Sequence, residues 1–158
     1  MRALNHAYDG AVAALVHEPY ARRKGALDLW ERQINSEKEG NPVWLGLSLT
    51  WSPDFYVTML MFDVPKASRE RDTCMEQRRL TETSVALARF KAERGQYPEG
   101  LASLVPAYLR EVPVDVFSEI APRYERLGNG YRLYSVGPDM RDDSGAGDDV
   151  SAVVQEGK

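Results

Sequence analysis

The acidic loop near the C-terminus is the part of this sequence whose residue types and spacing could do chemistry. Five aspartates lie within the eleven residues from Asp139 to Asp149, interspersed with Gly145 and Gly147. Calcium takes about six to eight oxygen ligands from carboxylates, backbone carbonyls and water, and glycines let a chain turn sharply enough for its carbonyls to point inward. Carboxylates from Asp139 and the Asp148-Asp149 pair, together with carbonyls, would therefore make a calcium shell.

Two features of the loop leave its ligand set open. Asp142 and Asp143 offer competing carboxylates, and the EF-hand spacing is absent because Met140, Arg141 and Asp142 follow Asp139. Without a cation, aspartates this close would repel one another and favour an open, solvated turn, which is the alternative interpretation. Magnesium fits less well, because it demands near-octahedral geometry and keeps its waters.

Composition narrows the classes of protein to which the chain can belong. The 158 residues are 43% hydrophobic with a net charge of −4, which favours a globular domain and disfavours a nucleic-acid binder. A single cysteine, Cys74, excludes an internal disulfide framework and a cysteine-rich zinc site. None of the common nucleotide, hydrolase or metalloprotease motifs occurs. We expect no catalysis, no nucleic acid and no small-molecule substrate; a small hydrolase or other enzyme using the N-terminal helical half is the alternative.

The N-terminal half is predicted to be helical. Apolar residues recur at three- and four-residue spacing over 2–18 and over 20–38, where Leu27, Trp30 and Ile34 share one face. A longer helix is predicted after Pro65, ending near Arg94 with Gly95 as its C-cap. The interleaved charges of residues 69–79 indicate a solvated face of this helix. The apolar run 43–64 contains internal charges and Pro53, so a buried soluble segment is favoured over a membrane span.

The C-terminal part of the sequence predicts a small sheet. Prolines recur every seven to nine residues from Pro98 to Pro122, leaving room only for short helical turns such as 100–105. Gly128-Asn129-Gly130 separates two aromatic-rich runs, which is a strong hairpin signal, and a last short strand could start at Val150. We therefore predict an α+β fold: a helical segment of unknown role at 1–65, and at 66–158 one long helix packed on a small antiparallel sheet with a calcium-type loop.

A series of short motifs follows from Leu80 onward, over about 75 of the 158 residues. They are the helix end with Gly95-Gln-Tyr-Pro98, then Gly100-Leu-Ala-Ser-Leu-Val105, Val112-Pro-Val-Asp115, Tyr131-Arg-Leu-Tyr-Ser-Val-Gly-Pro-Asp139 and Gly145-Ala-Gly-Asp-Asp-Val150. In their order and spacing they resemble the globular end of the major pseudopilin of type II secretion systems, and even more the form of this module in envelope proteins frequent in planctomycetes.

The resemblance implies a structural or interaction module of the cell envelope rather than an enzyme. It implies calcium held by the side chains of Asp139, Asp148 and Asp149 and by the backbone carbonyl of Val136. It also implies an exported, periplasmic or envelope location, protein partners or self-assembly, and a membrane anchor outside this chain. The first 65 residues do not show the family's prepilin-type start, so we do not expect an intact pseudopilin.

Overall fold

The structure is a computed structural model that describes residues 9–10, 12–13, 15, 19–40 and 64–154. The chain divides into two compact units, Met1–Glu70 and Arg71–Lys158. The described elements are helices and a three-stranded antiparallel sheet, which confirms the predicted α+β class.

The first unit contains helix α1, Tyr20–Gly40, and five helical residues before it, from Asp9 to Leu15. Leu27 and Trp30 are buried on α1, as the spacing predicts, while the side chain of Ile34 lies outside the described residues. Gly10 approaches Trp30 so closely that an added Cβ would lie 3.0 Å from the indole Cδ1. Glycine at this position therefore lets the indole pack against the backbone. Residues 43–63 of the apolar run 43–64, predicted to be a buried segment, also lie outside the described residues.

The long helix α2 runs from Val64 to Arg94. Pro65 is its second residue, where the missing N–H costs nothing because the first helical amides have no partner within the helix. At the other end, Gly95 takes a φ of +79° and its N–H donates to Lys91 O at 2.8 Å. The predicted C-cap is thus confirmed, and its left-handed backbone explains why the residue is glycine.

The buried stripe of α2 differs from the prediction at its polar end. Leu80, Thr83 and Leu87 are buried along one face of α2. The prediction that the charged face is solvated is wrong at two residues, because Asp72 and Glu76 are each only 1% exposed. They continue the stripe of Leu80 by steps of four residues, so helical geometry places them on the buried side despite their charge.

A segment without long elements connects α2 to the sheet. It contains a 3₁₀ helix, Leu101–Leu104, at the predicted short helical turn. Leu104 and, further along, Phe117 are fully buried. These residues belong to the buried apolar core of the second unit.

The sheet has the order β1-β2-β3, with β1 at Arg123–Leu127, β2 at Gly130–Ser135 and β3 at Val150–Val154. Both neighbouring pairs are antiparallel, so the predicted hairpin and last strand are confirmed. Tyr131 and Leu133 point to the buried face of the central strand, and the Tyr131 ring meets Tyr97 edge-on at 4.8 Å. Arg126 is only half-buried and pairs with Glu99, which explains how an arginine is accommodated on β1.

Candidate metal centre

The acidic loop, residues 136–149, connects two strands that pair directly with each other. β2 ends at Ser135 and β3 begins at Val150, and these two residues are opposite each other in the ladder. The sheet therefore holds the two ends of the loop side by side and keeps its carboxylates close to one another. This closure follows from antiparallel pairing, which places consecutive strand ends side by side.

Three carboxylates of the acidic loop converge. One oxygen each of Asp139, Asp143 and Asp148 lies within 4.8 Å of the others, and all three residues are exposed. Two of these residues, Asp139 and Asp148, were predicted as ligands. Asp143 was named only as a competing carboxylate. Oxygen atoms at this separation from one another match the space around a hard cation whose bonds to oxygen are about 2.3–2.6 Å long.

Glycines permit the path of the backbone around this cluster. Gly137 has a φ of +67°, and a Cβ there would lie 2.2 Å from the backbone oxygen of Asp148. Gly147 has a φ of +62°, and a Cβ there would lie 2.7 Å from Oδ2 of Asp143. Both positions combine a left-handed backbone with a close approach. A side chain would displace the Asp148 backbone at Gly137 and the Asp143 carboxylate at Gly147.

Backbone amides orient two of the three carboxylates. Oδ2 of Asp148 accepts a hydrogen bond from the N–H of Asp139 at 3.0 Å. Oδ1 of Asp139 accepts one from the N–H of Arg141 at 2.7 Å. Each residue thus has one oxygen tied to the backbone, and these bonds reduce the mutual repulsion of the carboxylates.

Asp149, the third predicted side-chain ligand, is placed differently. Its Oδ2 accepts hydrogen bonds from the N–H groups of Gly145 at 2.7 Å and Asp143 at 3.1 Å. Its Oδ1 is buried and accepts no hydrogen bond within the described part of the chain. Burial raises the pKa of Asp149, although the Gly145 N–H partly opposes the shift. Asp149 therefore holds the loop together, and it is not among the three converging residues.

Asp142 has its own partners at the side of the loop. It accepts a hydrogen bond from the Tyr134 hydroxyl at 3.1 Å and forms an ion pair with Arg123 at 3.4 Å. The hydrogen bond from the Ser144 N–H is the main cause that lowers the pKa of Asp142, and the Tyr134 and Arg123 contacts act in the same direction. Asp142 is thus bonded to residues of β1 and β2, and it is not one of the three converging carboxylates. Val136, the predicted carbonyl ligand, is buried at the start of the loop.

A second pair of neighbouring carboxylates was not predicted from the sequence. Glu76 and Asp115 are both buried in the second unit, at 1% and 2% exposure. The sequence does contain a signal for Glu76: it lies four residues before Leu80, so Glu76 and Leu80 share one face of the helix.

A groove of about 410 Å³ lies beside these residues, between α2 and the segment 109–114. Its charged lining is of both signs, from Arg79, Glu82, Arg110 and Glu111. Arg79 donates a hydrogen bond to Val114 O at 2.5 Å and so connects the two walls. This mixed lining favours no single charge of ligand.

Comparison of the chain with protein-family models, curated proteins and solved structures gave no match. Among the described residues, no helix is both long and apolar enough to cross a membrane. Cys74 is exposed on α2 as a free thiol. The alternative prediction of an enzyme with active residues in the N-terminal half falls largely on residues outside the described ranges.

Proposed function

We propose that this chain is a non-catalytic structural or interaction module of the cell envelope, similar to a type II secretion pseudopilin, whose acidic loop binds calcium for stability. One observation carries the calcium part: Asp139, Asp143 and Asp148 converge within 4.8 Å in a loop that both neighbouring strands close. The envelope part has the support of the landmark order along residues 80–150, and of the long helix followed by a small antiparallel sheet.

The proposed shell is built from hard oxygen donors. Asp139, Asp143 and Asp148 would supply carboxylate oxygens, and water and backbone carbonyls such as that of Val136 would complete the coordination. Asp149 supports the shell by accepting hydrogen bonds from the Asp143 and Gly145 amides. Its buried Oδ1, which has no hydrogen-bond donor among the described residues, adds negative charge to the loop. The ion would offset the repulsion among these carboxylates and fix the connection between β2 and β3.

Calcium titration of the chelator-treated protein tests the metal site. Because a ligand that binds only the folded state stabilises it, millimolar calcium should raise the melting temperature of the wild-type chain. Asp148→Ala should abolish this rise. Asp142→Ala is the matched control, since it removes the same charge from the same loop but leaves the three converging carboxylates in place, and it should retain the rise.

The same titration distinguishes the two ligand sets. If the geometric cluster binds the ion, Asp143→Ala should lose the calcium response as fully as Asp139→Ala. A lost response in Asp149→Ala with a retained one in Asp143→Ala would favour the set predicted from the sequence. No rise in the wild-type protein, with its fold intact, would contradict calcium binding altogether.

The proposed location is tested separately. Antibody detection after fractionation of the native cells should place the protein in the periplasm or envelope, where calcium at millimolar levels is available to weak sites. Recovery in the cytosol would contradict the envelope assignment and leave the calcium measurement unaffected.

A further inference from the structure

The turn formed by residues 115–120, called here the Asp115 turn, is closed by its own hydrogen bonds. The Asp115 N–H donates to Ile120 O at 2.8 Å, and the Glu119 N–H donates to Asp115 O at 3.0 Å. The Asp115 carboxylate is buried and accepts three further hydrogen bonds. They come from the Phe117 N–H, the Ser118 hydroxyl and the Ser135 hydroxyl, each at 2.8 Å. The turn is thus fixed to itself and to the end of β2.

Glu76 connects this turn to helix α2. Its Oε2 accepts a hydrogen bond from the Val116 N–H at 2.9 Å, across forty residues of sequence. Val116 follows Asp115, so the Glu76 carboxyl lies beside a second buried acidic group. Asp115 satisfies three donors, whereas one hydrogen bond to Glu76 is seen within the described residues.

The charges around Glu76 come from both elements that meet there. Asp115 on the turn opposes a negative charge on Glu76, and Arg79, one turn along α2, favours it. Asp72, one turn earlier on α2, is buried as well and pairs with Arg71 at 3.0 Å. Two neighbouring carboxylates withdrawn from water do not ionise equally readily, and the one with fewer donors keeps its proton to higher pH.

We propose that Glu76 is a proton-controlled latch: when protonated it holds the Asp115 turn against α2, and when ionised it loosens that turn. The Val116 N–H can donate to either form of the carboxyl and favours the ionised one, but the desolvation of a charge at this buried position outweighs that preference. Ionisation of Glu76 adds repulsion between its carboxylate and that of Asp115. It also leaves a charge buried away from water at the contact between α2 and the Asp115 turn, and both effects weaken that contact.

The direction of the pH effect follows from linkage. Burial raises the pKa of Glu76 from its ordinary 4.5 to about 7; the Val116 N–H opposes this shift, and Asp115 adds to it. The folded state therefore binds this proton more tightly than the open state. The stabilisation is full below the ordinary value and is lost as the pH rises through about 7. From these two values, opening of the turn should become about tenfold more frequent between pH 6 and pH 8.

Amide exchange on the full chain tests the latch. After correction for intrinsic exchange, protection of the Val116 and Phe117 amides should fall about tenfold from pH 6 to pH 8 in the wild type. Glu76→Gln keeps an acceptor oxygen but cannot ionise, so its protection should not change over this range. Glu82→Gln, at an exposed position on the same helix, should behave like the wild type. The decisive quantity is the difference between wild type and Glu76→Gln, since it cancels the pH effects of every other group in the chain.

A carbon-detected NMR titration of the Glu76 carboxyl in the wild-type chain gives an independent result even if Glu76→Gln does not fold. A midpoint near neutral pH is expected. A midpoint below about 5, close to that of an ordinary glutamate, would overturn the latch. An equal loss of protection in Glu76→Gln and wild type would overturn it as well.

Discussion

The second unit handles closely spaced carboxylates in two opposite ways. At the Asp115 turn, Glu76 and Asp115 are buried, and protein donors satisfy them. In the acidic loop, Asp139, Asp143 and Asp148 remain exposed while their oxygens converge. Both arrangements gather negative charge, but only the loop leaves its carboxylates accessible to a solvent cation.

The difference separates a structural role for acidic residues from a binding role. A buried carboxylate contributes through the donors it satisfies, so its removal leaves several buried polar groups without partners. An exposed carboxylate contributes little by itself, and its effect depends on whether an ion is present. Substitutions at the two places should therefore differ in size and in their dependence on calcium.

Asp115→Ala should have the largest effect on stability. It removes the acceptor for the Phe117 amide and for the Ser118 and Ser135 hydroxyls, so the free energy of unfolding should fall by about 3–5 kcal/mol. Urea denaturation measures the change. Asp139→Ala in calcium-free buffer is the contrast and should cost about 0.5 kcal/mol. Equal losses would remove the distinction between the two regions.

Gly137→Ala should come next, because the strain lies in the backbone of the acidic loop. The new Cβ would meet the Asp148 backbone oxygen at 2.2 Å, so a loss of about 3 kcal/mol is expected. Gly128→Ala in the hairpin has a similar φ of +58° but no neighbour within 4 Å, and it should cost only about 1 kcal/mol. Thermal melts of both variants check the difference; equal effects would show that the close approach does not matter.

Acidification should reduce the response of the acidic loop to calcium by an intermediate amount. Because burial raises the pKa of Asp149, this residue takes up a proton earlier than an ordinary aspartate as the pH falls. In calcium-free protein that uptake favours the folded state, and it also removes negative charge from beside the three converging carboxylates, so the cation is attracted less strongly. The calcium-induced rise in melting temperature should therefore be smaller at pH 4.5 than at pH 7. An unchanged rise would indicate that the charge of Asp149 does not contribute to calcium binding.

Tyr134→Phe should have the smallest effect. It removes a hydrogen bond to Asp142 on the exposed side of the loop. The Ser144 N–H is the larger cause of the lowered Asp142 pKa, so that pKa should stay below its ordinary value, as an NMR titration can show. The calcium response should be unchanged, and its loss would mean that Asp142 belongs to the metal shell.

The local signals of the sequence predicted most of the fold. Gly95 and Gly128-Asn129-Gly130 require particular backbone angles, so they identify the end of α2 and the hairpin without any tertiary information. The burial of Glu76 could not be read from its residue type, since charged residues at helical spacing normally indicate a solvated face. Its reason lies forty residues away, in the Val116 amide that needs an acceptor.

The candidate site was predicted as a region and only partly as a set of atoms. The density of aspartates and glycines indicated the loop. Which of its carboxylates are free to bind a metal depends on the backbone amides from which each one accepts hydrogen bonds. Asp149 is occupied by the Asp143 and Gly145 amides, and Asp142 by Tyr134 and Ser144. The backbone path of the loop also includes positive φ angles at Met140 and Ser144, which residues other than glycine rarely adopt, so it could not be predicted from residue types.

The direction of the β2–β3 ladder has a mechanical consequence. Tension applied at the C-terminal end of the last strand would peel it away one bond at a time, starting where Val154 faces Tyr131. The final pair to separate would be Ser135 and Val150, next to the aspartates. An ion bound in the acidic loop would therefore resist the separation of this last pair, after every other residue pair of the β2–β3 ladder had already separated.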